Sequence, residues 1–260
     1  MMKLSGNSVG LPLSKVDGMH LVTGKPAYTD DLAPKDCLII KILRSPHAFA
    51  KIIDINTARA EKLVGVEIVF THKNVPQNLY TRAGQSYPEP STYDKYILDE
   101  YVRYIGDEVA IVAAETEEIA LKALKMIKVE YEVYEPVLDV FKAEESESKL
   151  HFRDRCFTHM DKGFNPEKNI AAVYNFDYGD VVESFKRCHV VIKRKYYTQA
   201  QAHGMMESYR AYSYIDQYGG LVVVSSTQIP FHVRRDVAQA LGMPVNKVRV
   251  IKPRIGGGFG

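Results

Sequence analysis

The sequence predicts an α+β fold built from two units in succession. Short β-branched runs alternate with single amphipathic helices in an irregular order, which favours α+β packing over a doubly wound parallel sheet. A charged stretch without sustained period, residues 141–168, separates the two sets of elements. We therefore expect an N-terminal arm over residues 1–14, a first domain over 15–140, a linker over 141–168 and a second domain over 169–260.

In the first unit, residues 37–43, 51–55, 67–70 and 108–113 are the expected strands, and 57–63 is a helical interruption. The prolines and tyrosines of residues 76–93 predict a long surface loop. Thr116 is the expected N-cap of a helix whose apolar face is Ile119, Ala120, Ala123, Leu124 and Ile127. A strand over 128–133 should follow that helix.

In the second unit, Asp180 with Glu183 three residues later predicts a short capped helix that ends near Arg187. Strands are expected over residues 190–197, 210–214 and 221–225. A helix should begin near Pro230 and stop at Gly242. A last strand over 246–252 then leads into the glycine run at 256–260.

Composition and charge narrow the class of protein. The chain is 46% hydrophobic and 25% charged, as in an ordinary globular protein with a sizeable core. The 34 Lys and Arg residues nearly balance the 32 Asp and Glu residues, so we expect no nucleic-acid partner. The sequence shows neither a membrane-length apolar run nor a secretory signal, and Cys37, Cys156 and Cys188 suit reduced thiols. These features predict a cytoplasmic protein that does not enter the membrane.

The run Gly256-Gly257-Gly258-Phe259-Gly260 is the sharpest local signal for function. Residues without a Cβ let backbone amides approach a bound group closely, so the run suits an anion or the edge of a cofactor. A flexible connector or a tight turn is the alternative. A nucleotide site is disfavoured, because neither a phosphate-loop lysine nor GxGxxG spacing is present.

Gln228 follows Thr227 at the change from strand to helix, a place where side chains often project into a cleft. Its neutral amide could donate to a metal-bound oxygen group without adding charge. The alternative is a glutamine at a helix start on the surface.

Other polar pairs offer weaker signals. His203 and Glu207 would share a face only in a helix and lack a third metal ligand, so a structural histidine is preferred. The pairs Cys156 with His159 and Cys188 with His189 lack a complement at metal-site spacing and favour a structural interpretation.

Segments along nearly the whole chain resemble the molybdopterin subunit of the xanthine dehydrogenase and aldehyde oxidase family, in the family's order. The first-unit segments are residues 15–31 (KVDGMHLVTGKPAYTDD), 44–48 (RSPHA), 102–112 (VRYIGDEVAIV) and 129–132 (VEYE). The second-unit segments are residues 169–170, 179–181, 203–207, 226–228 and 256–260. The resemblance implies an α/β hammerhead domain followed by an incomplete α+β molybdopterin-binding domain.

The resemblance also implies a role for particular residues. Gln228 would hydrogen-bond the apical ligand of molybdenum, and the loop with Gly257, Gly258, Phe259 and Gly260 would present backbone amides to the metal and pterin. Enzymes of this type hydroxylate a carbon beside nitrogen or an aldehyde carbon with oxygen from water. Their electrons leave through [2Fe–2S] clusters to FAD, which we expect on partner chains or domains.

The family's glutamate base and remaining pterin loops come later than the segments matched here, so we expect an N-terminal part of the enzyme that is inactive alone. The expected partners are the remaining molybdopterin-domain polypeptide and the iron–sulfur and FAD subunits or domains. An exposed apolar patch on the second unit and self-association should accompany such a part. The alternative is a non-catalytic interaction or assembly protein that uses its hammerhead domain.

Overall fold

The computed structural model of the chain describes residues 9–82 and 88–259. Strands of the first unit form two three-stranded sheets. They are β1 (Ile39–Arg44), β2 (Ala50–Asn56), β3 (Val66–Thr71), β4 (Tyr101–Val102), β5 (Glu108–Ala114) and β6 (Lys128–Val133). One sheet has the order β1-β5-β3 and the other β4-β2-β6, and all of their pairings are antiparallel.

The central strand β5 carries the core of the first unit. Its sequence EVAIVAA is a continuous apolar run, which suits a strand covered on both faces. Helix α4 (Glu117–Leu124) packs on β1 and β5, and its Ala120 and Ala123 are fully buried because small side chains allow close approach. Thr116 Oγ1 accepts a hydrogen bond of 3.2 Å from the amide of Ile119, which confirms the predicted N-cap.

Three shorter helices of four or five residues complete the first unit: α1 (Gly18–Val22), α2 (Thr29–Leu32) and α3 (Ala58–Glu61). The predicted strands over 37–43, 51–55, 67–70, 108–113 and 128–133 all occur, with ends shifted by no more than two residues. Local periodicity was sufficient to predict these strands, because each strand has one face or both faces in the core.

The segment predicted as a linker lies against the first unit. Arg155 donates to Asp99 at 2.6 Å and to Glu100, and Nε of Arg103 donates to the carbonyl of Leu150 at 2.7 Å. Short 3-10 turns at Ala143–Glu145, Arg153–Arg155 and Pro166–Lys168 link these contacts. The anchoring combines these polar contacts with the stacking of Phe157 on Tyr93, so the sequence of the segment has no apolar period.

The second unit contains a mixed sheet of order β7-β8-β9, with β7 (Ala211–Ile215), β8 (Leu221–Ser225) and β9 (Val248–Ile251). Strands β7 and β8 are antiparallel, whereas β8 and β9 are parallel and joined by α6 (Pro230–Leu241). Parallel neighbours need such a crossover. Helix α6 ends at Gly242, whose φ of 66° is the left-handed stop that the sequence predicted. Helix α5 (Val181–Lys186) is capped by Asp180, as expected.

The predicted strand over residues 190–197 is wrong. No strand is assigned there, because in the described part of the chain no neighbouring strand pairs with its backbone groups. The expected apolar patch on the second unit stays a prediction, but many apolar side chains of this region are exposed. They are Val173, Tyr174, Phe176, Tyr178, Val190, Val191, Ile192, Tyr196 and Tyr197.

The described part of residues 76–93 forms a loop, as expected, and part of this loop packs between the two units. Nδ2 of Asn78 donates to the carbonyl of Ala240, and Nε2 of Gln239 donates to the carbonyl of Leu79 at 2.9 Å. Glu89 and Tyr93 are buried. Among the helices in residues 9–82 and 88–259, none is both long and apolar enough to span a membrane.

Candidate functional site

Gln228 and the glycine segment leave the second sheet at the same edge. Strands β8 and β9 are parallel neighbours, with Val224 paired to Ile251, so both end on one side. Gln228 comes three residues after β8, and Gly256 comes five residues after β9. Ligands in sheets with parallel strands typically bind beyond these carboxyl ends. Topology therefore brings together two segments that are about thirty residues apart in sequence.

The two segments approach closely at Gly258. A Cβ placed on Gly258 would lie 2.6 Å from Nε2 and 2.7 Å from Oε1 of Gln228, and nearer still to Cδ. Such distances are too short for real carbon atoms, so the amide of Gln228 rests directly over the bare Cα of Gly258. The structure thus unites the two strongest sequence signals in one place.

A third segment, residues 203–207, also contacts the glycine run. Oε2 of Glu207 accepts a 2.6 Å hydrogen bond from the amide of Gly256. A Cβ on Gly257 would lie 2.8 Å from Cβ of Met205, and the rings of His203 and Phe259 are near parallel with centroids 6.5 Å apart. The sequence favoured a structural role for His203 over metal ligation, but it gave no sign that Glu207 contacts the glycine run.

The site presents hydrogen-bond donors that the protein does not use. Within residues 9–82 and 88–259, the backbone amides of Gly257 and Gly258 and the exposed side-chain amide of Gln228 have no hydrogen-bond partner. Phe259 has a φ of 63°, a left-handed conformation that is uncommon for a residue with a side chain and that clusters at functional sites. Gly260, the fifth predicted cofactor-binding residue, lies outside the described residues.

The turn that carries Gln228 is defined locally. The amide of Ile229 donates to Oγ1 of Thr227 at 3.2 Å, and Pro230 then begins α6 with its φ already suited to a helix. Thr227 and Pro230 fix the point at which the chain changes from strand to helix. Gln228 therefore lies just beyond the carboxyl end of β8.

A buried ionic cluster fixes α6 from the first unit. Oε1 of Glu89, whose side chain is 4% exposed, accepts from Arg235 at 2.6 Å and lies 3.5 Å from Nδ1 of His232. Nε2 of His232 lies 3.0 Å from Asp236, and burial raises the pKa of the Asp236 carboxyl. The spacing of His232, Arg235 and Asp236 on one helical face was a signal that sequence reasoning did not use.

Residues 252–255 connect β9 to the glycine run and pack against the N-terminal helices. Arg254 pairs with Asp17, and its amide donates to the carbonyl of Ala27 at 3.1 Å. A cavity of about 470 Å³ lies between the two segments. Its lining is Asp17, His20, Leu21, Pro26, Ala27 and residues 252–255. The first unit therefore contacts the residues that directly precede the glycine run.

Residues weighed as metal ligands make other contacts in the described structure. Residues 203–207 are not helical, so His203 and Glu207 do not share a helical face, and no group of three potential ligands occurs in residues 9–82 and 88–259. Sγ of Cys156 donates to the carbonyl of Phe152, and the ring of His159 packs edge-on against Tyr93 and Phe157. These contacts support the structural interpretation of Cys156 and His159.

Comparison with known proteins identifies both units. Residues 23–135 match the family model described as the aldehyde oxidase and xanthine dehydrogenase a/b hammerhead domain. Residues 164–260 match the molybdopterin cofactor-binding domain. The crystal structure of quinoline 2-oxidoreductase from Pseudomonas putida 86 superimposes with a TM-score of 0.78 at 26% identity, over 98% of this chain and 31% of that one.

Two curated relatives are also similar in sequence to this chain. A "Probable hypoxanthine oxidase" of Escherichia coli strain K12 is 39% identical over 97% of this chain. The nicotinate dehydrogenase large molybdopterin subunit of Eubacterium barkeri is 32% identical over 95% of it. The chain spans 29% of the first relative's length and 53% of the second's. It belongs to the xanthine dehydrogenase and aldehyde oxidase family of molybdenum hydroxylases, and comprises the hammerhead domain and part of the molybdopterin-binding domain of their large subunit.

Proposed function

We propose that this chain forms one wall of the molybdenum-pterin site in an enzyme that hydroxylates an N-heterocycle or an aldehyde with oxygen from water. The observation that carries the proposal is the contact between the Gln228 amide and the bare Cα of Gly258. A glutamine at a helix start on the surface would make no close contact that requires a glycine.

The residues present fit such a cofactor. A Cβ at Gly256, Gly257 or Gly258 would collide with Glu207, Met205 or Gln228, so the segment forms a cradle that only glycine can line. The unused donors at Gly257, Gly258 and Gln228 match a group rich in oxygen and other acceptor atoms. When bound, the molybdenum-pterin cofactor supplies the redox chemistry, and the protein supplies orientation and electrostatics.

Each residue has a defined task in this proposal. Nε2 of Gln228 donates a hydrogen bond to the ligand sphere of the metal and adds no net charge. The amides of Gly257 and Gly258 bind acceptor atoms of the cofactor through fixed backbone dipoles. Phe259, held at a φ of 63°, turns the chain at the end of this cradle. Preorganised donors of this kind do not have to reorient during the reaction.

The complete activity is proposed to need further polypeptide. We infer that the catalytic base, the remaining pterin contacts, the [2Fe–2S] clusters and FAD are supplied by partner chains or domains in the cytoplasm. Residues 15–140 and 169–260 are the proposed limits of the two domains contributed by this chain. The exposed apolar residues between Val173 and Tyr197 are a surface that such polypeptide, or a second copy of this chain, would cover.

The proposal is tested on the complex purified from its native source through a tag on this chain. Molybdenum is measured by mass spectrometry, pterin by fluorescence after oxidation, and turnover with aldehydes and N-heterocycles. We expect about one molybdenum per chain, and a loss of turnover of about tenfold or more in Gln228→Ala, as for removal of one preorganised donor.

Gln217→Ala is the matched control, because Gln217 is exposed in the turn at the opposite end of β8. It should retain wild-type turnover. A complex that assembles fully but contains no molybdenum would favour the alternative, a non-catalytic assembly protein. Equal turnover in the Gln228→Ala and Gln217→Ala complexes would remove the role of Gln228.

A further inference from the structure

Glu207 is an acidic residue in direct contact with the glycine run. Oε2 accepts a short hydrogen bond of 2.6 Å from the amide of Gly256. The other oxygen, Oε1, is buried and has no partner among the described residues. A carboxylate has two acceptor atoms and no donor, so it suits a site where consecutive backbone N–H groups converge.

The contact extends to the backbone. A Cβ on Gly256 would lie 2.6 Å from Cβ and 3.3 Å from the amide nitrogen of Glu207. The backbone segments at residues 207 and 256 are therefore in direct contact. They can approach this closely only because residue 256 is glycine. The hydrogen bond and this contact both act on the first residue of the run.

We propose that Glu207 is the positioning residue of the glycine segment. Its carboxylate holds Gly256, and this orientation directs the amides of Gly257 and Gly258 away from the protein and toward the cleft beside Gln228. Oε1 is available to accept one more N–H, from the segment itself or from a bound group. The inference rests on the proposed function only for the identity of that group, since the hydrogen bond belongs to the chain alone.

Amide hydrogen exchange of the peptide that contains residues 256–258, measured in the full-length chain, tests the inference without cofactor. We expect Glu207→Ala to accelerate exchange at least about tenfold, because the protecting acceptor is lost. Glu207→Gln retains one oxygen acceptor and should restore exchange to within about threefold of wild type. Glu118→Ala, at an exposed position on α4, is the matched control and should have no effect.

A second variant covers the case in which Glu207→Ala fails to fold. Gly256→Ala leaves the carboxylate in place but forces the segments at residues 207 and 256 apart. It should therefore accelerate exchange as Glu207→Ala does. Unchanged exchange in the folded variants, or equal acceleration in Glu207→Gln and Glu207→Ala, would overturn the positioning role.

Molybdenum content of the complex then separates the two proposals. A fall in Glu207→Ala with recovery in Glu207→Gln would support both. Faster exchange with unchanged molybdenum content would retain the positioning role and count against the glycine segment as a cofactor site.

Discussion

Asp99 is the residue whose replacement most directly tests how residues 141–168 are attached. Its side chain is 4% exposed and accepts from Arg103 at 2.7 Å and from Arg155 at 2.6 Å. It also accepts from the amide of Tyr101 at 3.3 Å. Asp99→Asn keeps the shape of the side chain but removes its charge, so two guanidinium groups then face a neutral amide.

The expected loss of stability depends on the contacts that each arginine keeps in Asp99→Asn. Removing one partner of a buried ion pair costs about 3–5 kcal/mol when the other charge is left alone. Here Arg155 keeps its pair with Glu100, and Arg103 keeps its bond to the carbonyl of Leu150. We therefore expect Asp99→Asn to lower the free energy of unfolding by about 2–3 kcal/mol.

Urea unfolding followed by circular dichroism measures the loss, which should lower the midpoint by about 1 M. Trypsin should also cleave faster at Arg153 and Arg155 as the segment detaches. Glu144→Gln is the control, because Glu144 pairs with Lys168 at 2.9 Å with both side chains more than half exposed. It should change the free energy by less than about 0.5 kcal/mol. A midpoint for Asp99→Asn equal to that of the control would refute the reasoning.

Two further predictions concern pH and the site. Burial lowers the pKa of His151 to about 4, with Arg103 contributing repulsion. The unfolded chain therefore takes up a proton near pH 6.5 that the folded chain excludes, so stability should fall by up to about 3 kcal/mol as the pH drops from 6.5 to 4. His151→Gln should remove that part of the slope in urea unfolding at pH 7.5 and 4.5, and parallel profiles would contradict this. In the complex, Gly258→Ala must displace the Gln228 amide by about 1 Å, so turnover should fall by about a hundredfold. Gly219→Ala, in the turn that contains Gln217, is the control, because a Cβ there meets no atom within 4 Å, and equal turnover in the two variants would argue against the cradle.

The sequence predicted the elements whose signals are local. The apolar run of β5, the Thr116 cap of α4 and the Pro230 start and Gly242 stop of α6 are properties of neighbouring residues, and all appear as expected. The resemblance to molybdenum hydroxylases was likewise visible in short segments, and the family models confirm it.

Tertiary structure decided how these segments meet. The parallel pairing of β8 with β9 places Gln228 over Gly258, and residues 203–207 contribute Glu207 to the same glycine run. Glu89 and Asp99 look like ordinary loop carboxylates in the sequence, yet both are buried ion-pair partners. The run at 190–197 has strand composition, but residues 9–82 and 88–259 provide no strand beside it. In each case the outcome depends on a partner distant in sequence, because hydrogen bonding and burial are properties of pairs and local composition specifies only one member of the pair.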